Sequence, residues 1–264
     1  MCTECGCGLP DKNLNHGHHH HDVPETTNKK EIAVFKKILE KNDHQAQHNR
    51  EHFDKYGILS VNLMSSPGAG KTTLLEKTIE ALKDRYKIGV IEGDLETERD
   101  AERVRNKGAV AYQITTGQTC HLDAFMVHKG LHHLPLEELD IVFVENVGNL
   151  VCPASFDVGT HLNVVLLSVP EGDDKPAKYP VMFKKADLLI ITKADLLPYF
   201  DFDVERCIKE FKELNPEAEV IVLSTKTGEG LDKWINWLIT KKEEISELPL
   251  TEVKGFPLQR GRKR

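Results

Sequence analysis

Ser65-Ser66-Pro67-Gly68-Ala69-Gly70-Lys71-Thr72-Thr73 lies between an apolar run, Ile58–Met64, and an amphipathic one, Thr72–Asp84. A buried strand, a glycine-rich turn and a helix in that order form a phosphate-binding loop. Gly68 and Gly70, on either side of Ala69, let the backbone curl so that successive N–H groups face one anion, and the positive end of the following helix adds to that field. Lys71 is expected to reach the β- and γ-phosphates, the Thr72 hydroxyl to bind Mg²⁺, and Thr73 to continue the cradle. Ser65 stands where the motif has its first glycine, so the match is strict only from Gly70 onward.

Downstream the pattern alternates. Short apolar runs at Ile88–Glu92, Ala109–Ile114, Ile141–Glu145, Asn163–Ser168, Leu188–Thr192 and Val220–Ser224 read as strands, most of them buried on both faces. Helical stretches at about 203–214 and 230–242, and at His121–Leu134, fill intervals between them. The expected fold is therefore α/β, a P-loop NTPase with a mostly parallel sheet flanked by helices, over residues 56–245. Residues 31–55 read as N-terminal helices, with Ile32, Val34, Phe35, Ile38 and Leu39 at helical spacing and a break at Asn42-Asp43. Residues 1–30 have too few large apolar side chains to offset ordering entropy, and read as a flexible Cys/His-rich arm. Residues 246–264 form a tail whose last five positions, Arg260 to Arg264, are basic.

Composition limits the partners. A net charge of −7 argues against nucleic acid, whose phosphates need concentrated Lys and Arg. The longest apolar stretches, such as Val164-Val165-Leu166-Leu167, fall far short of the ~18 residues that span a bilayer. Met1-Cys2-Thr3-Glu4-Cys5 has no basic segment leading into an apolar one, so no secretory signal is visible, no membrane insertion is expected, and the chain reads as cytoplasmic.

Two further motifs choose the base. Thr192-Lys193-Ala194-Asp195 ends a strand and resembles the Asn-Lys-x-Asp motif of GTPases. The Asp195 carboxylate can accept from guanine N1–H and N2–H₂, a donor pair that adenine lacks, while the Lys193 stem lies along the base. Thr192 in place of Asn predicts one stabilising contact fewer. Ser224-Thr225-Lys226 resembles the Ser-Ala-Lys motif at the base oxygen. Between these lie the switch loops. Asp94, in Glu92-Gly93-Asp94, is placed to hold Mg²⁺ or to cap the next helix. Glu145-Asn146-Val147-Gly148 resembles Asp-x-x-Gly with Glu substituted, and the Gly148 N–H would meet the γ-phosphate and lose it on hydrolysis. Asp94 and Asp100 are both candidates to orient the attacking water.

Metal ligands are concentrated in three places. Cys2-x-x-Cys5-x-Cys7 offers soft donors suited to Ni²⁺ or Zn²⁺, and His16-Gly17-His18-His19-His20-His21 suits low-affinity storage. Cys120-His121 is expected to open a helix whose terminus stabilises the thiolate. Cys152 follows Gly148 by four residues, so chain length alone keeps it within about 14 Å of the γ-phosphate sensor. Cys120, His121 and Cys152 could thus meet at the switch as an S₂N set. His44, His48 and His52 line one helix face and read as a polar solvated surface. Cys207 reads as helix packing.

Taken together, the Cys-rich start, the His tract, the phosphate loop, Glu92-Gly93-Asp94, Cys120-His121-Leu122-Asp123 and Glu145-Asn146-Val147-Gly148-Asn149-Leu150-Val151-Cys152-Pro153 resemble the HypB family of hydrogenase nickel-incorporation GTPases, relatives of the urease accessory GTPase UreG. The resemblance covers residues 30–245. It implies a GTP-dependent metallochaperone, cycling between GTP and GDP, that delivers Ni²⁺ to the NiFe-hydrogenase large subunit with a HypA-type partner. It also implies a nucleotide- or metal-promoted homodimer whose Cys-His-Cys ligands bind Ni²⁺ or Zn²⁺. Urease GTPases carry Cys-Pro-His, whereas Pro153 is followed by Ala154, which favours the hydrogenase branch.

Overall fold

Leu59–Ser65 (β1) occupies the middle of the sheet with every side chain buried, as a strand covered by helices on both faces must be. The computed structural model of the chain describes residues 25–94, 98–117 and 119–247. Helix α1 (Glu25–Lys55) precedes β1, and α2 (Lys71–Leu82) follows it. Then come β2 (Ile88–Asp94), α3 (Arg99–Lys107), β3 (Val110–Thr115), α4 (Ala124–Leu131) and β4 (Ile141–Glu145). The second half runs β5 (Leu162–Ser168), α5 (Lys175–Lys178), α6 (Pro180–Lys184), β6 (Leu188–Thr192), α7 (Val204–Leu214), β7 (Glu219–Val222) and α8 (Leu231–Glu247). All seven strands are parallel, in the order β3-β2-β4-β1-β5-β6-β7. The chain crosses from one side of β1 to the other between β4 and β5, so a crevice forms beyond the carboxyl ends of the central strands. No described helix is long and apolar enough to cross a membrane.

One face of the sheet carries Leu74, Leu75 and Ile79 of α2 and Trp234, Trp237 and Leu238 of α8. The Trp234 indole N–H donates to Thr78 Oγ1 at 2.8 Å, which satisfies a buried polar atom inside that layer. The other face is covered by α6 and α7 at one end and by α1 and α4 at the other. Cys207 of α7 is fully buried, and burial pushes its thiol up to about 12, as expected of a packing cysteine.

Helix α1 departs from the sequence reading. It is one helix of 31 residues, beginning at Glu25 and continuing through Asn42-Asp43. Asparagine breaks helices by bonding to nearby backbone. Here the Asn42 side chain is engaged elsewhere, with Nδ2 donating to the Asp157 carbonyl at 2.8 Å and Oδ1 accepting from the Ala124 N–H at 2.9 Å. Tertiary bonds thus remove the competitor. Asn49 and Phe53 continue the buried stripe, and Arg50 pairs with Asp157 at 3.0 Å. Helix α4 is shorter than the expected His121–Leu134. Asp123 caps it, accepting from the Met126 N–H at 2.8 Å, so Cys120 and His121 stand in the preceding loop rather than at the helix terminus.

Gly159 shows how closely α1 is seated. Its φ is +87°, and a Cβ there would lie 2.3 Å from the Ala46 carbonyl oxygen of α1. Gly159→Ala is expected to cost about 1–3 kcal/mol, through strain and displacement of the helix. Thermal unfolding would read this as a fall of ~2–4 °C per kcal/mol in a domain of this size. An unchanged midpoint would show that α1 is not held there.

Candidate nucleotide and metal site

The phosphate loop has the backbone its glycines were read to allow. Gly68 and Gly70 have φ of +76° and +100°, with no atom within 4 Å of a Cβ position at either, so conformation rather than crowding requires glycine there. Lys71 is 8% exposed and donates to Ser65 Oγ at 3.1 Å. The serine in place of the first motif glycine therefore parks the lysine ammonium inside the loop. Thr72 Oγ1 donates to Glu145 Oε1 at 2.8 Å. Ala69 is buried, and Thr73 accepts from Arg103 Nη2 at 3.3 Å.

Glu145 is one of a pair. Glu92 faces it across the β2–β4 register, both carboxyls are buried, and no N–H or hydroxyl donor reaches Oε2 of either, although a proton held by one carboxyl can bond to the other. Burial, and next the Glu145 charge, hold the Glu92 carboxyl well above its ordinary range. Burial also raises Glu145, against the opposing pull of Lys71. Two buried carboxyl groups side by side, with a hydroxyl and a phosphate loop next to them, are hard oxygen donors of the kind Mg²⁺ takes. Asp94 ends β2 half-buried, while Asp100 accepts from Arg103 Nη1 at 2.8 Å in a network that includes Glu76.

The base motifs close onto the same loop. Thr192 Oγ1 donates to the Ala69 carbonyl at 2.7 Å, and Lys193 Nζ to the Gly68 carbonyl at 2.7 Å. Thr192 thus ties its strand end to the phosphate loop. Lys193 has φ of +58°, the one left-handed non-glycine among the described residues. Asp195 Oδ1 accepts from Ser224 Oγ at 2.6 Å, and that hydroxyl accepts in turn from the backbone N–H of Lys226 and Thr227. Ser224 thus orients the carboxylate, with half-buried Thr225 beside it.

Across the crevice, ligand atoms of Cys120, His121 and Cys152 lie within 4.8 Å of one another. The two sulfurs are 3.0 Å apart, well beyond a disulfide bond of about 2.05 Å. His121 is 3% exposed and stacks on Phe156 at 4.0 Å, and burial lowers its pKa, which favours the neutral imidazole that ligates metal. The set is bonded to the phosphate loop through 145–152. The Asn149 N–H donates to the Ser65 carbonyl at 2.8 Å, and a Cβ on Gly148 would lie 2.8 Å from the Pro67 backbone. Asn146 Oδ1 accepts from the N–H of Leu122 at 3.0 Å, and Asn149 Nδ2 donates to the Cys120 carbonyl at 3.4 Å. One loop therefore touches phosphate loop and thiol cluster together.

The profile of the CobW/HypB/UreG nucleotide-binding domain matches residues 59–222. Hydrogenase maturation factor HypB of Escherichia coli K12 is 49% identical over 232 residues, 88% of this chain and 80% of its own length. The chain belongs to the HypB family. The HypB of Rhizobium leguminosarum bv. viciae is 51% identical over 82% of this chain and 72% of its own. A crystal structure of HypB from Helicobacter pylori in complex with nickel superposes with TM-score 0.74 at 48% identity, covering 77% of this chain and 96% of that one. This HypB-family chain is thus related to hydrogenase maturation factors and has their P-loop fold.

Within this HypB-family chain, Thr192, Lys193, Glu145 and Gly148 all contact the phosphate loop or the start of α2. Cys2, Cys5, Cys7, the His tract and nearly all of the basic tail lie outside the described residues. Glu92 gives only a weak signal in the sequence, a charged residue inside an otherwise apolar strand, and His48 and His52, which look like a polar face in sequence, meet His128.

Proposed function

We propose that the chain is a slow, Mg²⁺-dependent GTPase that carries Ni²⁺ to a NiFe-hydrogenase large subunit, with nucleotide state setting the affinity of Cys120, His121 and Cys152 for the metal. One observation supports this most directly: the loop that bears Cys152 is bonded to Ser65 and packed on Pro67, at the mouth of the phosphate site. A γ-phosphate held by Lys71 and the loop N–H groups bears on Gly148, and Cys152 follows four residues later. Movement of 145–152 on hydrolysis alters the sulfur's position relative to Cys120 and His121.

Phosphoryl transfer needs positioning and charge stabilisation. Lys71 holds the phosphates, Asp195 and Lys193 fix the base, and Asp94 or Asp100 orients water. Thr72, Asp94, Glu92 and Glu145 would hold Mg²⁺, which would neutralise phosphate charge. Ni²⁺ is cargo. A Cys₂His set gives three donors where Ni²⁺ or Zn²⁺ takes four. The fourth comes from water, a HypA-type donor, the hydrogenase, or a second copy in a homodimer. A relative in Helicobacter pylori J99, 48% identical over 220 residues, is named hydrogenase/urease maturation factor HypB.

Asp195→Asn tests the nucleotide assignment. Losing two charge-assisted bonds to guanine is expected to weaken GTP binding by ~100-fold or more, at 1.5–3 kcal/mol each. Fluorescent GTP and ATP analogues measure it. Equal affinity of the native chain for both bases would contradict a guanine site.

A further inference from the structure

Where α1 packs on α4, the two helices bring four imidazoles together. His48 and His52 are one turn apart on α1. His128 is on α4, and His132 follows at its end. One ring nitrogen from each of His48, His52 and His128 lies within 4.8 Å of the other two. The ring centroids of His48 and His52 are 4.9 Å apart, and both lie within 5.5 Å of His128. His128 Nε2 and His132 Nε2 are 3.2 Å apart. Two nitrogens bound at 2.0–2.1 Å to one tetrahedral ion stand about 3.3 Å from each other. The pair is already at ligand spacing.

The cluster also has the outer support that metal-binding histidines use. His128 Nδ1 lies 3.0 Å from Asn49 Oδ1. An amide oxygen only accepts, so Nδ1 carries the proton and the Nε2 lone pair faces the other imidazoles. Asn49 is fixed by donating from Nδ2 to the carbonyls of Ala124 and Val158, and is fully buried. A solvated polar face needs no such orientation.

We infer that His48, His52 and His128, with His132 as fourth donor, form a second transition-metal site, an all-imidazole one for a divalent ion of the Zn²⁺ or Ni²⁺ class. Imidazole donors without thiolate suit these ions over Mg²⁺ or Ca²⁺. A bound ion ties α1 to α4, and α4 begins three residues after His121. This site stands whether or not the GTPase reading does.

The test uses the full-length chain, its His48→Ala/His52→Ala variant, and the Cys120→Ala/Cys152→Ala variant. Bound Zn²⁺ is counted after dialysis, and Co²⁺ spectra are recorded for each. The expected result is one ion fewer in the double-histidine variant. The native-minus-variant Co²⁺ spectrum should show d–d bands without a thiolate charge-transfer band, and the double-cysteine variant should keep that ion. His132→Ala, at an exposed position, is expected to weaken the same ion ~10-fold without loss of fold, which keeps the test open if the double variant is unstable. An unchanged ion count in the double-histidine variant and unchanged affinity in His132→Ala would overturn the site, as would a thiolate band in the difference spectrum.

Discussion

Replacing Lys71 with alanine is expected to lower GTP turnover by ~10²–10³-fold, the effect of deleting one preorganised group aimed at developing charge. The lysine is buried and donates to Ser65 Oγ, and its positive charge opposes the upward push of burial on Glu145 and, more weakly, on Glu92. Without it the alanine variant loses the phosphate contact, and the charge that opposes burial at the two carboxyls goes with it. Phosphate release in single turnover measures the loss, and circular dichroism shows whether the fold is kept. Turnover near the native rate would mean that the phosphates are neutralised from elsewhere.

Cys152→Ala is the second large effect, and it separates chemistry from coupling. In a chain whose Cys2, Cys5 and Cys7 are alanine, Ni²⁺ affinity is expected to fall at least ~100-fold, more than the loss of an outer-shell partner costs. GTP turnover should change little, because Cys152 reaches the phosphate loop only through Gly148 and Asn149. Competition with a metal-sensitive dye gives the affinity. Unaltered Ni²⁺ binding would move the cargo site away from Cys120 and His121.

The phosphate loop was legible in the sequence because its logic is local: glycines at left-handed positions, a lysine and a hydroxyl within a few residues. The Cys120–His121–Cys152 set was legible because chain length tied Cys152 to Gly148. What escaped depends on pairing between distant strands and helices. Glu92 gains its meaning from standing opposite Glu145 in the β2–β4 register. His48 and His52 gain theirs from α4 lying against α1 with His128 and His132 facing them. The break expected at Asn42 failed for the same reason, since its side chain bonds to Asp157 and Ala124 rather than to its own helix. The cap at Asp123, by contrast, was readable: an aspartate before Ala124 carried the signal that α4 starts after His121.

In the proposed function, coupling between the phosphate site and the thiol site runs through the loop 145–152. Its most direct measurement is the Ni²⁺ affinity of the chain with Cys2, Cys5 and Cys7 replaced by alanine, titrated with GDP and with a non-hydrolysable GTP analogue. The two affinities are predicted to differ by about 5–150-fold, the usual span of coupling between linked sites, with the converse change in nucleotide affinity when Ni²⁺ is present. Identical Ni²⁺ affinities in the two nucleotide states would contradict it.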